Sequence, residues 1–158
     1  MIIPHKIGII ATSAPGVGLP SEALERGKQV FANRGIGLEF ATNVFKETGY
    51  TAGSIEERAA ALHTFIRDPS IDLILAFWGG HQTHQILPHL DIDLLKSTKK
   101  PIVGYSDLTP LLNYIASKCG SIAFLGPAFI SFCKPEFFDY PWNNLLGALS
   151  QNQHRIYP

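Results

Sequence analysis

Apolar residues fall into short unbroken runs separated by longer stretches in which they recur at helical spacing. Lys6 to Ala11, Ile71 to Trp78 apart from Asp72, Ile102 to Tyr105 and Ile122 to Leu125 are such runs. A run without polar alternation is buried on both faces, which is how strands of a covered parallel sheet read. Leu38 to Thr42 supplies a further strand. Between them, Ser21 is expected to cap a helix from Glu22 to about Asn33 that Gly35 and Gly37 stop. Ser54-Ile55-Glu56-Glu57 is a capping box opening a second helix, buried through Ala61 and Phe65 and ending near Asp68-Pro69. A short helical segment ends near His89, and another helix runs from Leu108 to Lys118. Strands alternating with helices predict an α/β fold, an open, doubly wound and mainly parallel sheet of flavodoxin-like type.

Ligands of such sheets bind beyond the carboxyl ends of the strands. Three loops occupy that edge: Thr12 to Gly16, Gly79-Gly80-His81-Gln82 and Tyr105-Ser106-Asp107. Ser106 sits where a strand turns into a helix, which exposes a hydroxyl beside free backbone N–H groups, the geometry a nucleophile needs. The Asp107 N–H and the glycine pair would supply donors to an oxyanion. Each feature also has a plainer reading. Ser106 or Asp107 would serve as an N-cap of the helix starting at Leu108, and Gly79-Gly80 as an ordinary turn. Leu108 stands where a Gly-x-Ser-x-Gly elbow has its second glycine.

Composition narrows the chemistry. The 158 residues suit one domain, and thirteen basic against thirteen acidic residues leave a formal net charge of zero. No basic stripe marks a nucleic-acid polymer or anionic lipid as partner, and no apolar run reaches the ~18 residues of a membrane span. Cys119 and Cys133 are too few for a disulfide framework and read as reduced core thiols, pointing to a cytoplasmic protein. The N-terminus runs straight into a strand without the features of a signal peptide. The first loop lacks both the Rossmann and the phosphate-loop spacing, and His81 with His84 lacks a third ligand, so neither a cofactor nor a metal is expected.

Taken in order, these elements resemble the amino-terminal half of the LD-carboxypeptidase family of serine peptidases. The resemblance rests on Ile7-Gly8-Ile9-Ile10-Ala11-Thr12-Ser13-Ala14-Pro15, on Ser54-Ile55-Glu56-Glu57-Arg58-Ala59, and on Ile71 to Gly80 followed by Gln85-Ile86-Leu87-Pro88-His89-Leu90-Asp91. Val103-Gly104-Tyr105-Ser106-Asp107-Leu108-Thr109, with Gly126-Pro127 beyond, is its most specific part. It implies Ser106 as nucleophile, the backbone N–H groups of Asp107 and Gly80 or Gly79 as oxyanion donors, and Gly79, His81, Gln82 and Tyr105 beside the substrate. Trp78 stands where muropeptide enzymes usually carry arginine, and the segment after the glycines looks closer to the microcin C immunity-protein branch. The substrate implied is peptide-like, a muropeptide or a peptidyl or aminoacyl nucleotide.

Family members complete a Ser-Glu-His triad from a second domain, and no Glu or His here matches those roles. Residues 1–158 are therefore expected to form the nucleophile-bearing domain of a longer hydrolase, nearly inactive alone because a serine hydroxyl without a general base is a poor nucleophile. Phe129, Phe132, Phe137, Phe138, Tyr140 and Trp142 are candidates for an apolar surface facing that domain or a second copy in a homodimer; equally, they fold back onto this domain's own core. Two other classes stay open: a non-catalytic binding or assembly domain, and an unrelated doubly wound binder in which Ser106 only caps a helix.

Overall fold

The computed structural model describes residues 3–121 and 123–150. Met1 and Ile2 of the expected leaderless start, Ile122 of the expected fifth strand, and residues 151–158 lie outside the described residues.

Five strands form one parallel sheet: β1 (Lys6–Ile10), β2 (Gly37–Phe40), β5 (Leu73–Ala76), β6 (Ile102–Gly104) and β7 (Ala123–Leu125). They lie in the order β2-β1-β5-β6-β7. Counted within this sheet alone the order is 2-1-3-4-5, the flavodoxin-like arrangement. Ile9 and Ile10 of β1 and Ile74 and Leu75 of β5 are all fully buried. Consecutive strand residues point to opposite faces, so helices must cover both. The covering elements are α1 (Ser21–Ala32), α2 (Ile55–Arg67), α3 (Ile92–Ser97), α4 (Thr109–Tyr114) and α5 (Asp139–Leu149).

The capping box forms as the sequence predicts. The Glu57 N–H donates to Ser54 Oγ at 3.3 Å, and the Ser54 N–H donates to Glu57 Oε2 at 2.8 Å. Ser21 is not the N-cap of α1; Pro20 takes that position with the non-helical ψ of 138° that an N-cap has, and Ser21 is already the first helical residue. The helix expected from Leu108 to Lys118 divides into a 3-10 turn at Ser106–Leu108, α4, and a π-helical turn at Ile115–Cys119 that ends on left-handed Gly120.

One hairpin lies where the sequence predicts a loop, and α3 and α5 lie in segments to which the sequence assigns no element. A small antiparallel hairpin, β3 (Glu47–Thr48) and β4 (Thr51–Ala52), fills the connection before α2, and α3 is capped by the Asp91 carboxylate accepting from the Leu94 N–H at 2.9 Å. The aromatic segment divides. Phe129, Phe132, Phe138 and Trp142 are buried and cluster around Phe31 of α1, with ring centroids 5.2 to 6.3 Å away. Phe137 and Tyr140 remain exposed.

Candidate active site

The strand order reverses between β1 and β5, which opens a crevice at their carboxyl ends. The loops following β1, β5 and β6 meet there, and they are the three loops singled out in the sequence.

Ser106 has φ +59°, the only positive φ at a non-glycine residue among the described residues. This left-handed conformation costs an ordinary L-residue roughly 1–2 kcal/mol. It arises because Tyr105 is still extended, at φ −149°, while the chain must turn into the 3-10 segment at once. That turn is closed by the Leu108 N–H donating to the Tyr105 carbonyl at 3.2 Å and Thr109 Oγ1 donating to the Ser106 carbonyl at 2.7 Å. Neither Ser106 nor Asp107 caps a helix with its side chain, which removes the plainer reading. The Ser106 residue is exposed. The Asp107 carboxylate instead reaches across to the β5 loop and accepts from the Thr83 N–H at 3.0 Å.

The glycine pair lies against this turn. A β-carbon on Gly79 would stand 3.2 Å from Ser106 Oγ and 3.4 Å from the Asp107 nitrogen. Gly80, at φ +153°, has no room for one: it would overlap Ser13 Oγ and lie 2.8 Å from the Ala14 nitrogen. The following N–H groups are spoken for. Those of His81 and Gln82 both donate to Ser13 Oγ at 2.9 Å, and that of Thr83 to Asp107. Among the described residues, the N–H groups of Gly80 and Asp107 have no such acceptor. Asp107 directly follows the exposed Ser106, and Gly80 follows the glycine that packs against it.

Behind these loops lies Arg58, whose side chain is almost wholly buried. Burial pushes its pKa down, partly offset by the Asp107 and Glu56 carboxylates. Thr12 and Thr83 join the β1 and β5 loops through a buried hydroxyl pair at 2.8 Å. Trp78 Nε1 donates to the Ala14 carbonyl at 3.0 Å, and Asn43 Nδ2 ties the Ala11 and Ala52 carbonyls at 2.8 and 2.9 Å.

Of the remaining expected site residues, His81 and Tyr105 are exposed at the rim, whereas the Gln82 side chain turns inward to accept from Ser13 Oγ at 3.3 Å. Ser13 lay in one of the three predicted edge loops without a role of its own, and Arg58 and Thr83 had no place in the expected site. For Ser13 the signal was a small hydroxyl directly after a buried strand; for Arg58 there was none. Among the described residues no group of three or more His, Cys, Asp and Glu side chains is placed to hold a metal ion, and no helix is long and apolar enough to cross a membrane.

A parallel sheet with an exposed, left-handed serine after its fourth strand and a glycine pair opposite defines a class, and the chain belongs to it: residues 7–126 match the LD-carboxypeptidase N-terminal domain. The chain is similar to the microcin C7 self-immunity protein MccF of Escherichia coli, 34% identical over 159 residues, covering 99% of this chain and 46% of that protein. It is 29% identical to the murein tetrapeptide carboxypeptidase of Pseudomonas aeruginosa over 67% of this chain and 35% of that protein. The structure of MccF in complex with glutamyl sulfamoyl guanosine superposes with a TM-score of 0.90 at 30% identity, over 100% of this chain and 49% of that one. The chain thus spans less than half the length of the curated relatives it matches.

Proposed function

We propose that this chain is the nucleophile-bearing half of a serine carboxypeptidase that cleaves a carboxy-terminal residue or nucleotide from a peptide-like substrate. The observation that carries the reading is Ser106: an exposed residue held in a costly left-handed turn, with Gly79 packed against its side chain and the Asp107 nitrogen. Backbone strain of this kind persists only where the surrounding structure imposes it, and it concentrates at functional sites.

In the proposed reaction Ser106 Oγ attacks the scissile carbonyl. The Oγ–C bond forms as the carbonyl electron pair moves onto oxygen, where the N–H groups of Asp107 and Gly80 stabilise it. The serine proton passes to a general base and then to the leaving group as its bond to carbon breaks. Water attacks the acyl-serine by the reverse route and frees Ser106. The base and its orienting carboxylate belong to the region of the relatives that this chain does not span, so the chain alone is expected to be nearly inactive. His81 and Tyr105 at the rim would contact the substrate next to the scissile bond, with Gly79 and Gln82 shaping the floor.

The two substrate classes favoured by the family are murein tetrapeptides and aminoacyl nucleotides. Trp78, in the position where the muropeptide enzymes usually carry arginine, favours the second. Competition by an aminoacyl sulfamoyl nucleotide against a muropeptide, measured on the complete gene product, distinguishes them. Full turnover by the Ser106→Ala variant would overturn the reading as a whole.

A further inference from the structure

Arg58 makes four hydrogen bonds, all to uncharged oxygens of three separate segments. Nη1 donates to the Thr12 carbonyl at 2.8 Å and the Gln82 carbonyl at 3.1 Å, Nη2 to Gln85 Oε1 at 2.8 Å, and Nε to the Ser54 carbonyl at 3.3 Å. Only 1% of the residue is exposed, and among the described residues its side chain is in no ion pair. Taking a guanidinium out of water costs several kcal/mol, and an apolar side chain of similar volume would fill the same space without that penalty. Core filling therefore does not account for it. A planar fork with five donors does what no apolar residue can, which is to hold carbonyls from different loops in one fixed arrangement.

The two carbonyls that Nη1 holds are placed tellingly. Thr12 precedes Ser13, the residue whose Oγ collects the N–H groups of His81 and Gln82 and packs against Gly80. Gln82 closes the same loop from its other end. Gly80, at φ +153°, lies so close to Ser13 that no β-carbon fits between them, and Arg58 holds the chain on both sides of that contact.

We propose that Arg58 is a positioning residue for the β5 loop, fixing the direction of the Gly80 N–H toward the oxygen it is to stabilise. The proposal rests on the reading of Ser106 as nucleophile and deepens it. Arg58 touches no reacting atom, so its loss should slow the bond-forming step more than it weakens binding. Misplacement by about 1 Å at such a donor is enough to cost on the order of 100-fold in rate.

The test is phosphonylation of the complete gene product by a fluorophosphonate, in which Ser106 Oγ bonds to phosphorus, fluoride leaves and the phosphoryl oxygen occupies the oxyanion position. Saturation kinetics separate the limiting rate from the half-saturating concentration. For Arg58→Lys and Arg58→Met, compared at a temperature where circular dichroism shows both folded, the limiting rate should fall about 10-fold or more while half-saturation changes less than about 3-fold. Lysine keeps the charge but not the fork, so it should not rescue. Wild-type limiting rates in both folded variants would overturn the proposal while leaving the nucleophile in place. Labelling that persists in Ser106→Ala would instead overturn the nucleophile reading. Should neither Arg58 variant fold, Gln85→Leu decides: it removes one acceptor of the fork, and an unchanged limiting rate would overturn the proposal.

Discussion

Gly79 and Ser106 face each other so closely that a β-carbon on the glycine would lie 3.2 Å from the serine Oγ. In the proposed reaction, the glycine thereby keeps open the space through which the scissile carbonyl would approach the hydroxyl. Gly79 has no positive φ, so alanine fits its backbone, and the fold should tolerate Gly79→Ala with little change in thermal midpoint. The added methyl would crowd the hydroxyl and the Asp107 N–H, so fluorophosphonate labelling of the complete gene product should slow at least about 10-fold. Gly80→Ala should behave differently and lower the midpoint, because it meets both a positive φ and the Ser13 side chain. Parallel melts and labelling rates of the two variants check the contrast.

Ser106 pays for its exposure in stability. Glycine adopts the left-handed region freely, so Ser106→Gly should stabilise the chain by about 1 kcal/mol, whereas Ser106→Ala keeps the strain and should not. Urea unfolding of the three proteins measures this directly. Equal stability of the glycine and alanine variants would mean that the turn is not strained.

The capping box of α2 carries a pH signature. The hydrogen bond from Lys46, and then that from the Ser54 N–H, hold the Glu57 carboxyl below its ordinary range. A carboxyl whose folded value is depressed contributes stability that is present above its unfolded pKa and is lost as pH falls through the folded value. Glu57→Gln should therefore melt below the parent chain at pH 7, and the gap should narrow once the pH drops beneath about 4. Ser54→Ala, which removes the other half of the box, should cost about 1 kcal/mol at neutral pH.

Cys133 is buried between α1 and the aromatic cluster, and burial pushes its thiol up to about 11. Almost none of it is thiolate at pH 8, and the thiolate is the reactive form. Iodoacetamide at that pH should leave Cys133 unmodified in the folded chain and alkylate it in denaturant, as peptide mass mapping would show.

The sheet was legible because β1, β5 and β6 are buried on both faces, which leaves continuous apolar runs that no helix period explains. Ser54 and Glu57 were legible for a different reason: a capping box is satisfied within four residues. Ser106 was legible as a position but not as a conformation, since its positive φ follows from how β6 enters the turn. Arg58 was hidden. It stands beside Glu56 and Glu57 in a charged first turn, which reads as a solvated face, and only the carbonyls of distant loops explain its burial. The helix α5 was missed because its apolar residues, Trp142, Leu145 and Leu146, pack on an aromatic cluster whose partner Phe31 lies more than a hundred residues away.

The account turns on the Ser106 hydroxyl as nucleophile. The most direct measurement is peptide mass mapping of the complete gene product after treatment with a fluorophosphonate. The account predicts a single adduct on the peptide carrying Ser106, absent from Ser106→Ala. An adduct on another serine, or hydrolysis of a peptide-like substrate that Ser106→Ala sustains at the parent rate, would contradict it.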